Sequence, residues 1–150
     1  MPRIKEDIET ASAWIAKALS SSGYQTDFSP QSLWEIDRFY DDNTRDGVPR
    51  GLLADRLGQK IFALGSYVGE LIRRSVGGEW HGDDNDPTVE LSVELRLPDG
   101  SVCWPTQRAG KRLKNGTEDS IAAYGVGLGL HIGEQPPPPK KGFFSRLFGG

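Results

Sequence analysis

The stretch Phe62–Trp80, FALGSYVGELIRRSVGGEW, decides the reading of this chain. It joins a long helical apolar pattern to a line of glycines, one acid and two adjacent arginines. From about Arg50 to Val76, Leu53, Leu57, Ile61, Leu64, Val68, Leu71 and Ile72 recur at helical spacing. One uninterrupted helix there would extend about 40 Å, so the pattern predicts either one long helix or two joined near Gly58. Gly58, Gly65 and Gly69 lie along one line of it. Each interior glycine costs a helix about 1 kcal/mol relative to alanine, so the line implies close approach by another backbone.

Upstream, Ile4, Ile8, Ala11, Ile15, Ala18 and Leu19 form one face of a helix over residues 4–21, stopped by Gly23. Ser29-Pro30 reads as an N-cap and first-turn proline for a short helix carrying Leu33, Ile36, Asp37 and Tyr40. Residues 41–47 read as a loop. Downstream, Thr88–Leu97 alternates apolar and polar residues, Pro98–Ser101 supplies a turn, and Val102-Cys103-Trp104 starts a return strand. Pro105 then opens a short basic helix. Thr117-Glu118-Asp119 begins a segment to Ile132 that reads as helix or as strand, because apolar residues and glycines also alternate there at period two. The capping signal favours helix, with Ala122, Gly125 and Gly129 as a small-residue stripe against the central helix.

The expected fold is therefore α+β: several packed helices with one small antiparallel β-hairpin or sheet, and a flexible C-terminal tail. Residues 1–133 read as a single domain, 134–142 as a proline-rich spacer and 143–150 as a basic aromatic tail. Residues 1–99 carry a balance of −7 and residues 100–150 one of +4. An acidic body argues against general nucleic-acid binding, which needs a clustered basic face. The charged opening residues and the lack of a membrane-length apolar run predict a cytoplasmic protein. The single cysteine, Cys103, cannot form an intramolecular disulfide or a cysteine-based zinc site.

No motif specifies a reaction. Asp42–Gly47 superficially follows a calcium loop, but Leu53 occupies the position where a bidentate glutamate is needed. His81 and the acids Asp83, Asp84 and Asp86 are metal-type ligands in a stretch that reads better as an exposed loop, so no metal and no cofactor is expected. Cys103 beside Trp104 reads as a buried thiol rather than a nucleophile paired with His81 or His131. The glycines from 125 to 133 lack the spacing and preceding strand of a dinucleotide fingerprint.

Two candidate contact sites remain. Glu70, Arg73 and Arg74 share one helix face, so one arginine can be held by Glu70 while the other offers its fork to a carboxylate. Trp80 and His81 border them. In the tail, Lys140, Lys141, Phe143, Phe144, Arg146, Leu147 and Phe148 follow a stiff proline run and combine cations with large apolar groups. That combination suits docking into a protein partner or resting on an anionic membrane surface. The leading expectation is a non-enzymatic binding or adaptor protein, immunity- or scaffold-like, with an unidentified protein partner. The alternative is a small enzyme or ligand-binding protein using the Glu70–Arg73–Arg74 region with Trp80 and His81 in a cleft.

The blocks FSPQSLWEIDRFYDD (28–42), LGSYVGELIRRSVGGEW (64–80) and LRLPDGSVCWPTQRAGKRLKNGTEDSIAAYG (95–125), in that order, resemble small bacterial proteins of a conserved domain family of unknown function. The resemblance covers roughly residues 26–125. It implies a helical last block and brings no activity or catalytic residues. The glycine-rich sequence after Tyr124 departs from the alanine- and leucine-rich helix the resemblance implies there.

Overall fold

The computed structural model describes residues 3–137 and is α+β. Helix α1 (Arg3–Ser21) buries Ile4, Ile8, Ile15 and Leu19, the expected face. It stops where expected: Gly23 has φ +94°, and the Tyr24 N–H returns to the Leu19 carbonyl at 3.0 Å.

Helix α2 spans Ser32–Asp42, later at both ends than the sequence suggested. Ser29 does not cap it, because its hydroxyl donates to Asp27 Oδ1 at 2.6 Å. Asp41 and Asp42 belong to the helix, and the remaining loop is a miniature hairpin of β1 (Thr44–Arg45) and β2 (Val48–Pro49). Asp46 and Gly47, at φ +52° and +77°, make its turn. The flanking strands lack alternating apolar residues, so only the Asp-Gly pair hinted at it.

The long apolar run from Arg50 is broken. A 3-10 turn (Gly51–Leu53) precedes Arg56, whose φ of +50° interrupts the helical path, and α3 runs from Leu57 to Val76. Helix α3 packs against both α1 and α5. Gly77 and Gly78, at φ +93° and +133°, then turn the chain into β3 (Glu79–His81). This strand pairs with β4 (Glu94–Arg96), which pairs with β5 (Val102–Cys103), all antiparallel. The predicted strand over Thr88–Leu97 is therefore too long. Asp86 accepts the Thr88 N–H at 2.8 Å and starts a single helical turn, α4 (Val89–Ser92), which leaves Leu91 exposed. Nor does Trp104 continue the return strand; it is half-exposed at the start of α5 (Pro105–Asn115).

The last block is helical but short. A 3-10 turn (Gly116–Asp119) leads to α6 (Ile121–Gly127), capped by Ser120 Oγ accepting the Ala123 N–H. The helix starts at this cap rather than at Thr117, and it ends before Leu130 and Ile132, which are buried without helical structure. The expected packing of two glycine stripes does not occur. A Cβ on Gly65 would stand 2.6 Å from Thr106 Cα, so the close backbone is that of α5. Gly69 faces the Trp80 ring and Pro105, Gly125 faces Leu33 of α2, and Gly58 faces open space.

One buried polar network ties the C-terminal half to α2. Asp37 accepts hydrogen bonds from Arg112 Nε (2.8 Å), Ser120 Oγ (2.8 Å) and the backbone N–H groups of Ile121 and Ala122 (2.9 Å each). Arg112, 2% exposed, also donates to the Asp37 carbonyl and to Asp41. The apolar residues around it form a single connected core drawn from every helix except α4.

The glycine geometry separates packing from propensity. Replacing Gly65 with alanine gains helix propensity but drives a methyl into the Thr106 backbone, so the variant is expected to lose about 1–3 kcal/mol in urea denaturation. Gly110→Ala, in α5 with nothing within 4 Å, is expected to gain about 0.5–1 kcal/mol. Equal effects at both positions would contradict the close approach of α3 and α5.

Candidate functional site

The last turns of α3 and the start of β3 bring four of the five predicted residues together. Glu70 is only 5% exposed. It accepts from Arg73 through both carboxylate oxygens, the Nη2 contact being 3.2 Å, and from Trp80 Nε1 at 2.9 Å. The missing side chain at Gly69 leaves the space that the Trp80 ring fills. The glycine line thus serves the site as well as the packing.

Arg74 does not join the Glu70 cluster of hydrogen bonds. Its guanidinium lies 3.9 Å from the centroid of Phe28, a favourable cation–π arrangement. Phe28 has φ +62°, a strained conformation for a large residue, and its N–H donates to Tyr67 Oη at 2.9 Å. Glu70, Arg73, Arg74 and Trp80 line a shallow depression of about 350 Å³ together with Lys5 and Glu9 of α1. His81 is outside it. Its Nε2 sits 3.8 Å from Glu79, which does line the depression.

Electrostatics limits what this depression can do. Burial alone would raise the Glu70 carboxyl, but the hydrogen bonds from Arg73 and Trp80 outweigh it and hold Glu70 below the ordinary range. The bond to Glu70 likewise raises Arg73 above its ordinary value. Both groups keep their charges at neutral pH, whereas a general acid or base needs a value close to the working pH.

The acids near His81 serve as structural acceptors: Asp84 takes the Ile4 N–H at the start of α1, while Asp83 and Asp86 close local turns. Among the described residues, no group of three or more His, Cys, Asp or Glu side chains is placed to share a metal ion. Cys103 is buried, and burial pushes its thiol up, away from the reactive thiolate. Among the described residues no helix is long and apolar enough to cross a membrane. The predicted tail residues Lys140, Lys141, Phe143, Phe144, Arg146, Leu147 and Phe148 lie outside the described residues, as do Pro138 and Pro139 of the spacer.

A second surface escaped the sequence reading. Trp14 of α1 is 48% exposed and Leu52, in the 3-10 turn before α3, is 46% exposed. Trp14 separates two depressions. The larger, about 440 Å³, runs between α1 and α3 over Ala11 and Phe62 and is rimmed by Asp7, Arg56 and Glu90. The smaller, about 90 Å³, is walled by Ile15, Leu19, Phe39 and Leu52 and has an almost wholly apolar lining. The available signal was Trp14's position off the apolar stripe of α1, which left a tryptophan with no place in the core. Large side chains clustered in the open mark contact surfaces more often than scattered ones do.

The Glu70 arrangement makes a pH-dependent prediction. Because its folded value lies below its unfolded value, its stabilisation is complete above the ordinary glutamate range and is lost as pH falls through the folded value. Glu70→Gln should flatten the acid limb of a stability–pH curve below about pH 4.5 and cost about 1–3 kcal/mol at pH 7. An acid limb identical to the parent's would contradict the bonding described. No protein-family model matches the chain, and no curated protein or solved structure is significantly similar to it.

Proposed function

We propose that this chain is a non-enzymatic bacterial binding or adaptor protein of the cytoplasm, of an immunity- or scaffold-like kind. Its contact surface in this reading is the Trp14–Leu52 face, and its basic aromatic tail is a second contact element. The observation that carries the proposal is the pair of exposed large side chains, Trp14 and Leu52, on the rim of a small apolar depression, with Trp14 also bordering a larger depression of mixed polar and apolar lining between α1 and α3. Tryptophan fits a protein-binding role because it presents a large, stiff apolar surface and is enriched where binding energy concentrates. Charged groups at the rim, Asp7, Arg56 and Glu90, can set orientation and partner choice.

The small-ligand alternative draws on one observation, the depression lined by Glu70, Arg73, Arg74 and Trp80. Its central acid, however, is already bonded to Arg73 and Trp80, and neither Glu70 nor Arg73 is shifted toward neutral pH. The depression therefore suits a role in shape and charge display better than one in proton transfer.

Photo-crosslinking in living cells tests the reading. A photoreactive amino acid at position 14 or 52 should yield a discrete adduct with another protein, while the same group at Glu118, in the turn before α6, should not. Adducts absent at 14 and 52, or equally abundant at all three positions, would remove the Trp14 face as a contact surface.

A further inference from the structure

The larger depression beside Trp14 carries charge that the fold does not use. Asp7, Thr10, Arg56, Gln59 and Glu90 are the polar side chains around it, and among the described residues none of them makes a side-chain hydrogen bond or ion pair. Asp55, the acid next to Arg56 in the chain, is already engaged, since it accepts from Lys60 Nζ at 3.0 Å. Arg56 itself is held at φ +50°, uncommon outside glycine, where the chain enters α3. The apolar part of the lining is Trp14, about half exposed, with Ala11, Phe62 and Ala63.

The two signs lie at opposite ends. Trp14 and Leu19 share the smaller depression with Leu52 and Lys60, near the start of α3, whereas Lys5 and Glu9 face Glu70 and Arg73 near its end, so α1 runs antiparallel to α3. Arg56 therefore stands at the Trp14 end of the larger depression. Asp7 lies two turns of α1 away, about 10 Å along the helix axis. Glu90 belongs to the Asp7 end, because a Cβ on Gly82 would stand 2.9 Å from its neighbour Val89 and 3.3 Å from Ile4 in the first turn of α1. An acidic end, an apolar middle and a cationic end are complemented by the same pattern reversed, which a second copy turned by 180° presents. An anionic membrane or a uniformly charged partner would meet repulsion at one end.

We propose that this face is the two-fold contact of a homodimer, in which Arg56 of each copy pairs with Asp7 and Glu90 of the other and each Trp14 enters the depression over the other's Ala11 and Phe62. This inference rests on the reading of the face as a contact surface and names its occupant as a second copy of the chain. The two-fold repeats every contact, so each charge pair and each indole acts twice. Trp14 and Leu52 are few large apolar groups for an obligate dimer, so the contact forms and separates as the concentration changes. The Glu70 depression, at the other end of α3, stays outside the contact and is present twice in the dimer.

Sedimentation velocity on the purified full-length protein tests the proposal. Between about 1 and 300 µM the weight-average mass should rise from that of one chain toward twice that value. Arg56→Glu, and separately Asp7→Arg with Glu90→Arg, should each weaken self-association at least about tenfold, because each sets like charges against one another at both symmetric contacts. Trp14→Ser, at an exposed position, should weaken it to a similar extent. An equimolar mixture of the two charge variants should associate again, since one then carries only acids and the other only cations on this rim; that recovery also shows both to be folded. A mass that stays at one chain throughout, a dimer indifferent to both reversals and to Trp14→Ser, or folded charge variants that fail to associate on mixing would each overturn the proposal. Position-14 crosslinks to a different protein, found while the chain remains monomeric, would leave the contact-surface reading standing and remove only this inference.

Discussion

The fold of the C-terminal half depends on the Asp37–Arg112 pair. Arg112 is 2% exposed and Asp37 5% exposed, and a buried charge survives only when it is paired and hydrogen-bonded. Asp37 meets that requirement completely, taking the guanidinium on one side and the Ser120 hydroxyl with two backbone N–H groups on the other. Those N–H groups open α6, a seven-residue helix with two glycines at Gly125 and Gly127. Such a helix is too short and too glycine-rich to form alone. A carboxylate at its N-terminus satisfies donors that have no partner within the helix and complements the positive end of its dipole. Through Arg112 the same carboxylate also anchors α5, whose Ala109 carbonyl accepts the buried Tyr40 hydroxyl at 2.7 Å.

The position of α5 in turn sets the surface features. With Thr106 and Pro105 of α5 packed against Gly65 and Gly69, α3 is held on one side while its other contacts go to α1. Trp80 fits over Gly69 and supplies the N–H that helps hold Glu70 ionised. The Trp14 face is a consequence of the same arrangement: α1 buries its isoleucine stripe against α3, and the neighbouring Trp14 and Ala11 line the seam. Both candidate surfaces thus border α1 and α3, one at each end of α3. Arg56 and Gly58 lie at the start of α3, and Arg73 and Arg74 lie in its last turn.

What the sequence made legible was local. The faces of α1 and α3, the stop at Gly23, the proline start of α5 and the β4–β5 hairpin all follow from periodicity and turn chemistry within a few residues. Close approach at Gly65 and Gly69 was also readable, because glycine there otherwise costs the helix stability. The partner was not, since α5 and Trp80 become neighbours only through tertiary packing. Asp37 could be seen on the apolar face of α2 beside Leu33, Ile36 and Tyr40, and Arg112 in a basic helix. Nothing local joins residues 75 positions apart. Strand β3 was hidden for another reason: three residues with one buried side chain carry no period, and its direction comes from Gly77 and Gly78. In the candidate site, the Glu70–Arg73 bond was visible as a helical spacing, while the turn of Arg74 toward Phe28 and the position of His81 outside the depression needed the fold.

The most direct test is native-state hydrogen exchange on the Asp37→Asn variant, which keeps the shape at position 37 but removes the charge and turns an acceptor into a donor. If Asp37 secures α6 and α5, amides from Ile121 to Gly127 should exchange on the order of a hundredfold faster, with those of α1 and α3 far less affected, given the 3–5 kcal/mol cost of breaking a buried ion pair. Protection of α6 that stays equal to the parent's, or that falls only in step with α1 and α3, would contradict the account.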